Sequence, residues 1–430
     1  MLDLDTSAYR YTKTQITSVE WLSHIPAHWA IHRLKYIASI MTGDKDAIHS
    51  DDNGLYPFFI RSPKVQRINS YSYDGEAVLT AGDGDIGRIF HHILGKFDYH
   101  QRVYKFSDFR RASGRFIYYF LHHNLAEEVI KLSAKTTVDS LRLPFLQNFP
   151  VAIPPLPEQR EIAKFLDNKI EHIEAAIEIK ERQAALLQER KQILIQQAVT
   201  RGLNPDAPMR DSGIEWIGEI PAHWSIKRAK YIFREVDERS QDGQQELLSV
   251  SHLTGVTPRS EKNVSMFMAE DYTGSKMCRK DDLVFNIMWA WMGALGVADR
   301  TGIVSSSYGI FRQLKPGTLN PQYLEMLLKT TTYIEHYNKV STGLHSSRLR
   351  FYGHMFMAME IGFPSREEQD SIVAHLDIES EKINKATDLL EQQISKLKEY
   401  KATLINSAVT GKIKVPGVVE PCDEAGRESA

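Results

Sequence analysis

Between residues 158 and 200 a largely apolar set of positions recurs in alternating steps of four and three. The positions are Leu166, Ile170, Ile173, Ile177, Lys180, Ala184, Leu187, Lys191, Leu194 and Ala198. This is a heptad seam, the repeat of a helix that lies along a partner. The same register recurs over 368–410 as Leu376, Ser380, Ile383, Thr387, Leu390, Ile394, Leu397, Lys401, Leu404 and Ala408. Two long helices packed on each other are therefore predicted over 158–202 and 368–412. Lys191 and Lys401 occupy one seam position in both copies, where a charge weakens the seam but fixes its register. Ser365 stands three residues before Glu368 at capping-box spacing, Pro157 suits a first helical turn, and Gly202 and Gly411 suit C-terminal stops.

The two helical segments are copies. Residues 158–200 and 368–410 are identical at 18 of 43 positions at a constant offset of 210. A second repeat lies upstream: residues 18–38 and 213–233 share 12 of 21 positions at an offset of 195, including the segment Ile-Pro-Ala-His-Trp. The chain is thus a duplication with constant ends and unlike middles. Those middles alternate differently. The stretches 76–82 and 281–288 read as strands, 114–133 and 320–341 as helices, so each middle is predicted to be a small α+β domain. The resulting divisions are 1–157, 158–202, 203–367, 368–412 and a tail, 413–430, expected to be disordered for want of anything to bury.

Composition adds bounds. At 430 residues the chain suits two or three domains. Its two cysteines, Cys278 and Cys422, are too few and too far apart for a disulfide framework or zinc cluster, which implies a reducing, cytoplasmic setting. The N-terminus is acidic where a secretory signal is basic, and no apolar run is long enough to span a bilayer, so no membrane partner is expected. The net charge of −2 conceals weakly basic middles: 18 basic against 16 acidic side chains over 1–157, and 20 against 19 over 201–367.

Catalytic constellations are missing. There is no Walker A sequence, no His-Glu-x-x-His and no Asn/Asp-Pro-Pro-aromatic tetrapeptide. Gly82, Gly84 and Gly87 form a GxGxxG after a predicted strand, but no helix follows to hold a pyrophosphate, and a glycine-rich turn is the better reading. What remains are cations interleaved with aromatics, the composition of a phosphate-contacting surface. In the first middle these are Arg88, Arg102, Lys105, Arg110 and Arg111, with Arg142 further on; Arg61, Lys64, Gln66, Arg67 and Asn69 add types that bond base edges. The second middle offers Arg259, Lys262 and Asn263, then Lys276, Arg279 and Lys280, then His345, Arg348 and Arg350.

In this order and twice over, these motifs resemble the repeated regions of the specificity subunit of type I restriction–modification systems. The residues that carry the resemblance are 212–232, its echo at 18–37, and the proline-rich Ile-Pro-Pro-Leu-Pro-Glu-Gln stretch that opens 153–173. The second copy departs to Phe-Pro-Ser-Arg-Glu-Glu-Gln but keeps Pro364, Glu368, Gln369 and Asp377. The resemblance implies an α+β fold: two pseudo-two-fold-related target-recognition domains separated by two long antiparallel coiled-coil helices. Each domain would read one half of a split target in double-stranded DNA. It further implies a chain that catalyses nothing alone and binds no cofactor directly. Two modification (methyltransferase) subunits, using S-adenosylmethionine to methylate adenine at N6, and restriction (motor-nuclease) subunits would be its partners. A coiled-coil scaffold with no DNA-reading role is the rival reading; it explains the helices but not the basic, aromatic-rich middles.

Overall fold

A computed structural model describes residues 10–133, 140–262, 271–343 and 349–421. Its helices are α1 (Gly114–Ser133), α2 (Leu143–Asn148), α3 (Leu156–Arg201), α4 (Pro321–Leu328), α5 (Thr331–Val340), α6 (Gly353–Ala358) and α7 (Arg366–Val409). The chain divides into two compact units, residues 1–181 with 391–430, and residues 182–390. The helices are thus not domains in themselves. Each unit takes one half of α3 and one half of α7, because an isolated helix pair buries too little apolar area to form a core.

The first unit is built on a six-stranded sheet in the order Ser39–Thr42, Val103–Ser107, Tyr73–Ala81, Phe90–Tyr99, Tyr56–Phe59, Gln66–Ile68. All neighbours are antiparallel except Tyr56–Phe59, which runs parallel to Phe90–Tyr99. One core joins α1 (Phe116, Phe120, Leu121) to Trp29 of the repeated motif, to Ile162, Leu166 and Ile173 of α3, and to Leu404, Ile405 and Ala408 of α7. Here α3 and α7 run antiparallel: Lys401 Nζ bonds Glu174 Oε1 at 2.5 Å and Lys180 Nζ bonds Gln393 Oε1 at 2.6 Å.

The second unit carries a four-stranded sheet, Phe233–Glu235, Gly309–Gln313, Leu283–Phe285, Leu295–Val297, with the hairpin Leu248–Ser251/Gly255–Pro258 beside it. Its core gathers Trp224, Tyr323 and Leu327 with Val199 of α3 and Ile372, Val373 and Leu376 of α7. Again the helices are antiparallel, with Lys191 Nζ on Asn384 Oδ1 at 3.0 Å and Gln188 Nε2 on Thr387 Oγ1 at 3.3 Å. Every seam position named from the sequence, including Ile177, Leu187, Leu194, Ile383, Leu390 and Leu397, is buried or half-buried, while the faces between them are largely exposed.

Two expectations are corrected. The helix foreseen over 320–341 is two: α4 ends at Leu328, and Thr330 opens α5, its hydroxyl turned back to the Leu327 carbonyl at 2.8 Å. A β-branched residue that satisfies its hydroxyl on the preceding turn breaks the ladder that the apolar period suggested. The tail is also less idle than expected. Val415 and Val418 join the first core, and Glu420 accepts from Lys414 Nζ at 3.0 Å and from the backbone of Thr12. Two isolated valines have no period, so only their tertiary surroundings show that they are buried; residues 422–430, with Cys422, lie outside the described residues.

Candidate nucleic-acid interface

The repeated motifs build the frame of each unit. Glu158, in the first turn of α3, accepts from Trp29 Nε1 at 2.9 Å, from Tyr11 Oη at 2.6 Å and from His28 Nε2 at 2.7 Å. Burial, and then the bond to Glu158, push the Tyr11 hydroxyl far above the usual range, so it stays a donor. The neighbouring Gln159, fully buried, accepts from the Ser113 backbone at 2.8 Å and donates to the carbonyls of Arg111 and Pro154. This clamps the start of α1 to the start of α3. The second unit repeats the device. Glu368 accepts from Trp224 Nε1 at 3.1 Å and His223 Nε2 at 2.8 Å, while buried Gln369 accepts from the Asn320 backbone at 2.8 Å at the start of α4.

Within the first frame, three loops carry the candidates. Arg61 follows the strand Tyr56–Phe59, Arg102 lies in the turn before Val103–Ser107, and both reach Asp83 in the turn after Tyr73–Ala81. Arg61 Nη1 donates to Asp83 Oδ1 at 2.8 Å and Arg102 Nη1 to Oδ2 at 2.6 Å. Burial opposes the Asp83 charge, but the two guanidiniums outweigh it and hold the carboxyl below the ordinary range. Arg67 and Asn69 instead brace the turn 51–55. Arg67 donates to the carbonyls of Gly54 (2.6 Å) and Leu55 (3.0 Å), and Asn69 to Asp51 at 2.7 Å. Lys64, Arg88, Arg110, Arg111 and Arg142 are exposed, and Gln66 is half-buried.

Lys105 is the exception. It is only 5% exposed, its ammonium 3.5 Å from the Tyr73 ring centre. It is an interior cation, with burial pushing its pKa down, and has no path to a phosphate. Its strand is buried along nearly its whole length, with only Tyr104 half-buried, a fact that charge counting misses. Arg115, in the same basic run, is spent on Asp167 of α3 at 2.8 Å.

In the second unit Arg259 opens a single 3-10 turn after Pro258 and Lys262 closes it, both half-buried, and burial, then Arg259, lower the Lys262 pKa. Lys276 Nζ is bonded to the Tyr308 carbonyl at 2.9 Å, and Arg279 pairs with Glu238 at 3.0 Å. Lys280 and Arg350 are exposed; Asn263, His345 and Arg348 lie outside the described residues. Sequence reading passed over Asp83, Glu158, Gln159 and Arg312. Arg312 is bonded through Nε and Nη2 to Asp282, both at 2.7 Å, and through Nη1 to Glu238 at 2.8 Å. The repeated Glu-Gln pair was the available signal for the frame; nothing local marks Asp83.

The glycine-rich stretch is a turn, with Gly84 and Gly87 at φ +72° and +73°, and the strand Phe90–Tyr99 follows it. Gly82 permits close approach: a Cβ there would lie 2.9 Å from the Arg102 carbonyl oxygen. Among the described residues no three His, Cys, Asp or Glu side chains cluster as metal ligands, and no helix is long and apolar enough to cross a membrane.

Residues 26–183 match the family described as type I restriction modification DNA specificity domain. The EcoDI specificity subunit of Escherichia coli is 30% identical over 151 residues, 35% of this chain and 33% of that one, so the match spans a third of that relative. The MjaVIII specificity subunit of Methanocaldococcus jannaschii is 24% identical over 425 residues, 91% of this chain and 94% of its own. A chain from a solved structure concerned with complex assembly and conformational transition of the type I R-M system has a TM-score of 0.62 at 15% identity. It covers 90% of this chain and 98% of that one, a likeness of fold.

Proposed function

The chain belongs to the specificity-subunit family of type I restriction–modification systems, and from that premise we propose that it reads a bipartite target in double-stranded DNA, one half with each unit. In this reading it carries no catalytic centre of its own. The helix pair sets the unspecified spacer and docks two methyltransferase subunits, which use S-adenosylmethionine to methylate adenine at N6; restriction subunits join that complex. Adenine in a duplex is out of a methyltransferase's reach until flipped, so the DNA must be held in a form that allows it.

One observation carries the proposal: like joints present unlike surfaces. Glu158 with Trp29 and Glu368 with Trp224 fix the same scaffold in both units. Yet the turn after the central strand bears Asp83 with two arginines in the first unit, and the 48%-exposed Trp289 beside Met288 and Met292 in the second. A constant scaffold with a variable reading surface is what two different half-sites require. The test inserts one turn into the middle of both α3 and α7, about 5.4 Å. Sequencing of methylated sites in cells carrying the variant with its methyltransferase partner should return a spacer longer by roughly one to two base pairs, at about 3.4 Å per step. An unchanged spacer refutes the ruler.

A further inference from the structure

We infer that Asp83 is a positioning residue for base recognition by the first unit, holding Arg61 and Arg102 so that both present a free guanidinium edge to guanine; this rests on the DNA-reading function proposed above.

The geometry makes the case atom by atom. Each arginine spends Nη1 on Asp83, one on each carboxylate oxygen. Among the described residues neither guanidinium makes another hydrogen bond, so the Nε–Nη2 edge of both is unengaged. Those two N–H groups point the same way, and they match the O6 and N7 acceptors of guanine in the major groove. The side chains are 42% and 62% exposed, whereas the Asp83 side chain between them is 12% exposed.

Arg312 supplies the internal contrast. All three of its guanidinium nitrogens are bonded to Asp282 and Glu238, and its side chain is 19% exposed. That is an arginine consumed by the fold. Arg61 and Arg102 are anchored at one corner and open at the other. Charge points the same way: one carboxylate between two guanidiniums leaves a positive charge unbalanced, which an electronegative base edge or the phosphate field offsets on binding.

The anchor is rigid. Asp83 sits next to Gly82, whose N–H donates to the Arg102 carbonyl at 2.8 Å, and the His100 N–H donates to the Phe59 carbonyl at 2.9 Å. The three loops are thereby joined by backbone as well as by the carboxylate. Fixing the rotamers before DNA arrives removes ordering entropy that binding would otherwise have to offset.

The experiment uses the full chain assembled with its methyltransferase partner. Binding is measured against a library of duplexes randomised in both half-sites, alongside the thermal midpoint. Asp83→Asn should lower discrimination in the first half-site by on the order of tenfold, leaving the second half-site untouched. Arg61→Lys and Arg102→Lys keep the charge and the ion pair but remove the Nε–Nη2 edge; each should relax selection of guanine at one position without lowering the midpoint, which protects the test if Asp83→Asn folds poorly. A uniform loss of affinity with selectivity intact would assign the arginines to phosphates and overturn the inference. So would unaltered selectivity in all three variants, which would mark a purely structural clamp. If the wild-type complex shows no sequence-selective binding at all, it is the proposed function itself that fails.

Discussion

Trp29 donates its indole N–H to Glu158 over 2.9 Å across 129 positions of chain, and Trp224 makes the same bond to Glu368 over 3.1 Å. The two repeated motifs, far apart in sequence, are thus the two halves of one joint in each unit. The two joints differ in depth: Glu158 is 5% exposed with three donors, Glu368 29% exposed with two.

Removing the buried carboxylate should therefore cost more in the first unit. Glu158→Ala strands the Trp29 and Tyr11 donors inside the core and is expected to destabilise by about 3 kcal/mol, since each orphaned buried polar group costs about 1–3 kcal/mol. Glu368→Ala, with water able to replace part of the loss, should cost about half that. Urea unfolding of the two variants, followed by tryptophan fluorescence, decides; equal costs would contradict the joint as described.

The helix ends give a second pair. Gly202 and Gly411 both take left-handed backbone, φ +78° and +74°. A Cβ at Gly411 would also run into Pro26 Cδ, whereas one at Gly202 meets nothing nearer than a flexible Glu368 oxygen at 3.2 Å. Gly202→Ala should cost about 1 kcal/mol from backbone strain alone, and Gly411→Ala about 1–3 kcal/mol more from overpacking. Thermal unfolding that ranks them the other way would contradict this.

Glu76 supplies a pH dependence. It accepts from His92 Nε2 at 2.9 Å, and that bond, against opposing burial and with help from the His92 charge and the N–H groups opening α1, holds its carboxyl below the ordinary range. Because the folded value lies below the unfolded one, the stabilisation is present above about pH 4.5 and is lost as pH falls through the folded value. Glu76→Gln should be less stable at neutral pH and should lose stability less steeply below pH 4.5. Parallel stability curves for the two proteins from pH 7 to 3 would rule this out.

The seam lysines can be relieved. Lys401 and Lys191 are half-buried on the helix seam, bonded to Glu174 and Asn384. Lys191→Leu and Lys401→Leu should each stabilise by roughly 1 kcal/mol while loosening register, the usual exchange at a polar seam position. A lowered urea midpoint for either would show that the polar bond outweighs the apolar gain.

The sequence by itself determined the duplication, the two long helices to within three residues at each end, the seam that faces inward, and the glycine-rich turn that leads into a strand rather than a helix. These follow from period and from repeated text, which are local properties of the chain. Only the tertiary structure decided which cations are available. Lys105 read as a phosphate-contacting cation, yet it lies under Tyr73, because burial depends on what arrives from elsewhere in the chain. It was also the fold that brought Arg61, Asp83 and Arg102 together from three loops, and that gave the tail valines a core to enter. A hydrogen bond between residues tens of positions apart leaves no period behind it, so no reading along the chain can find it.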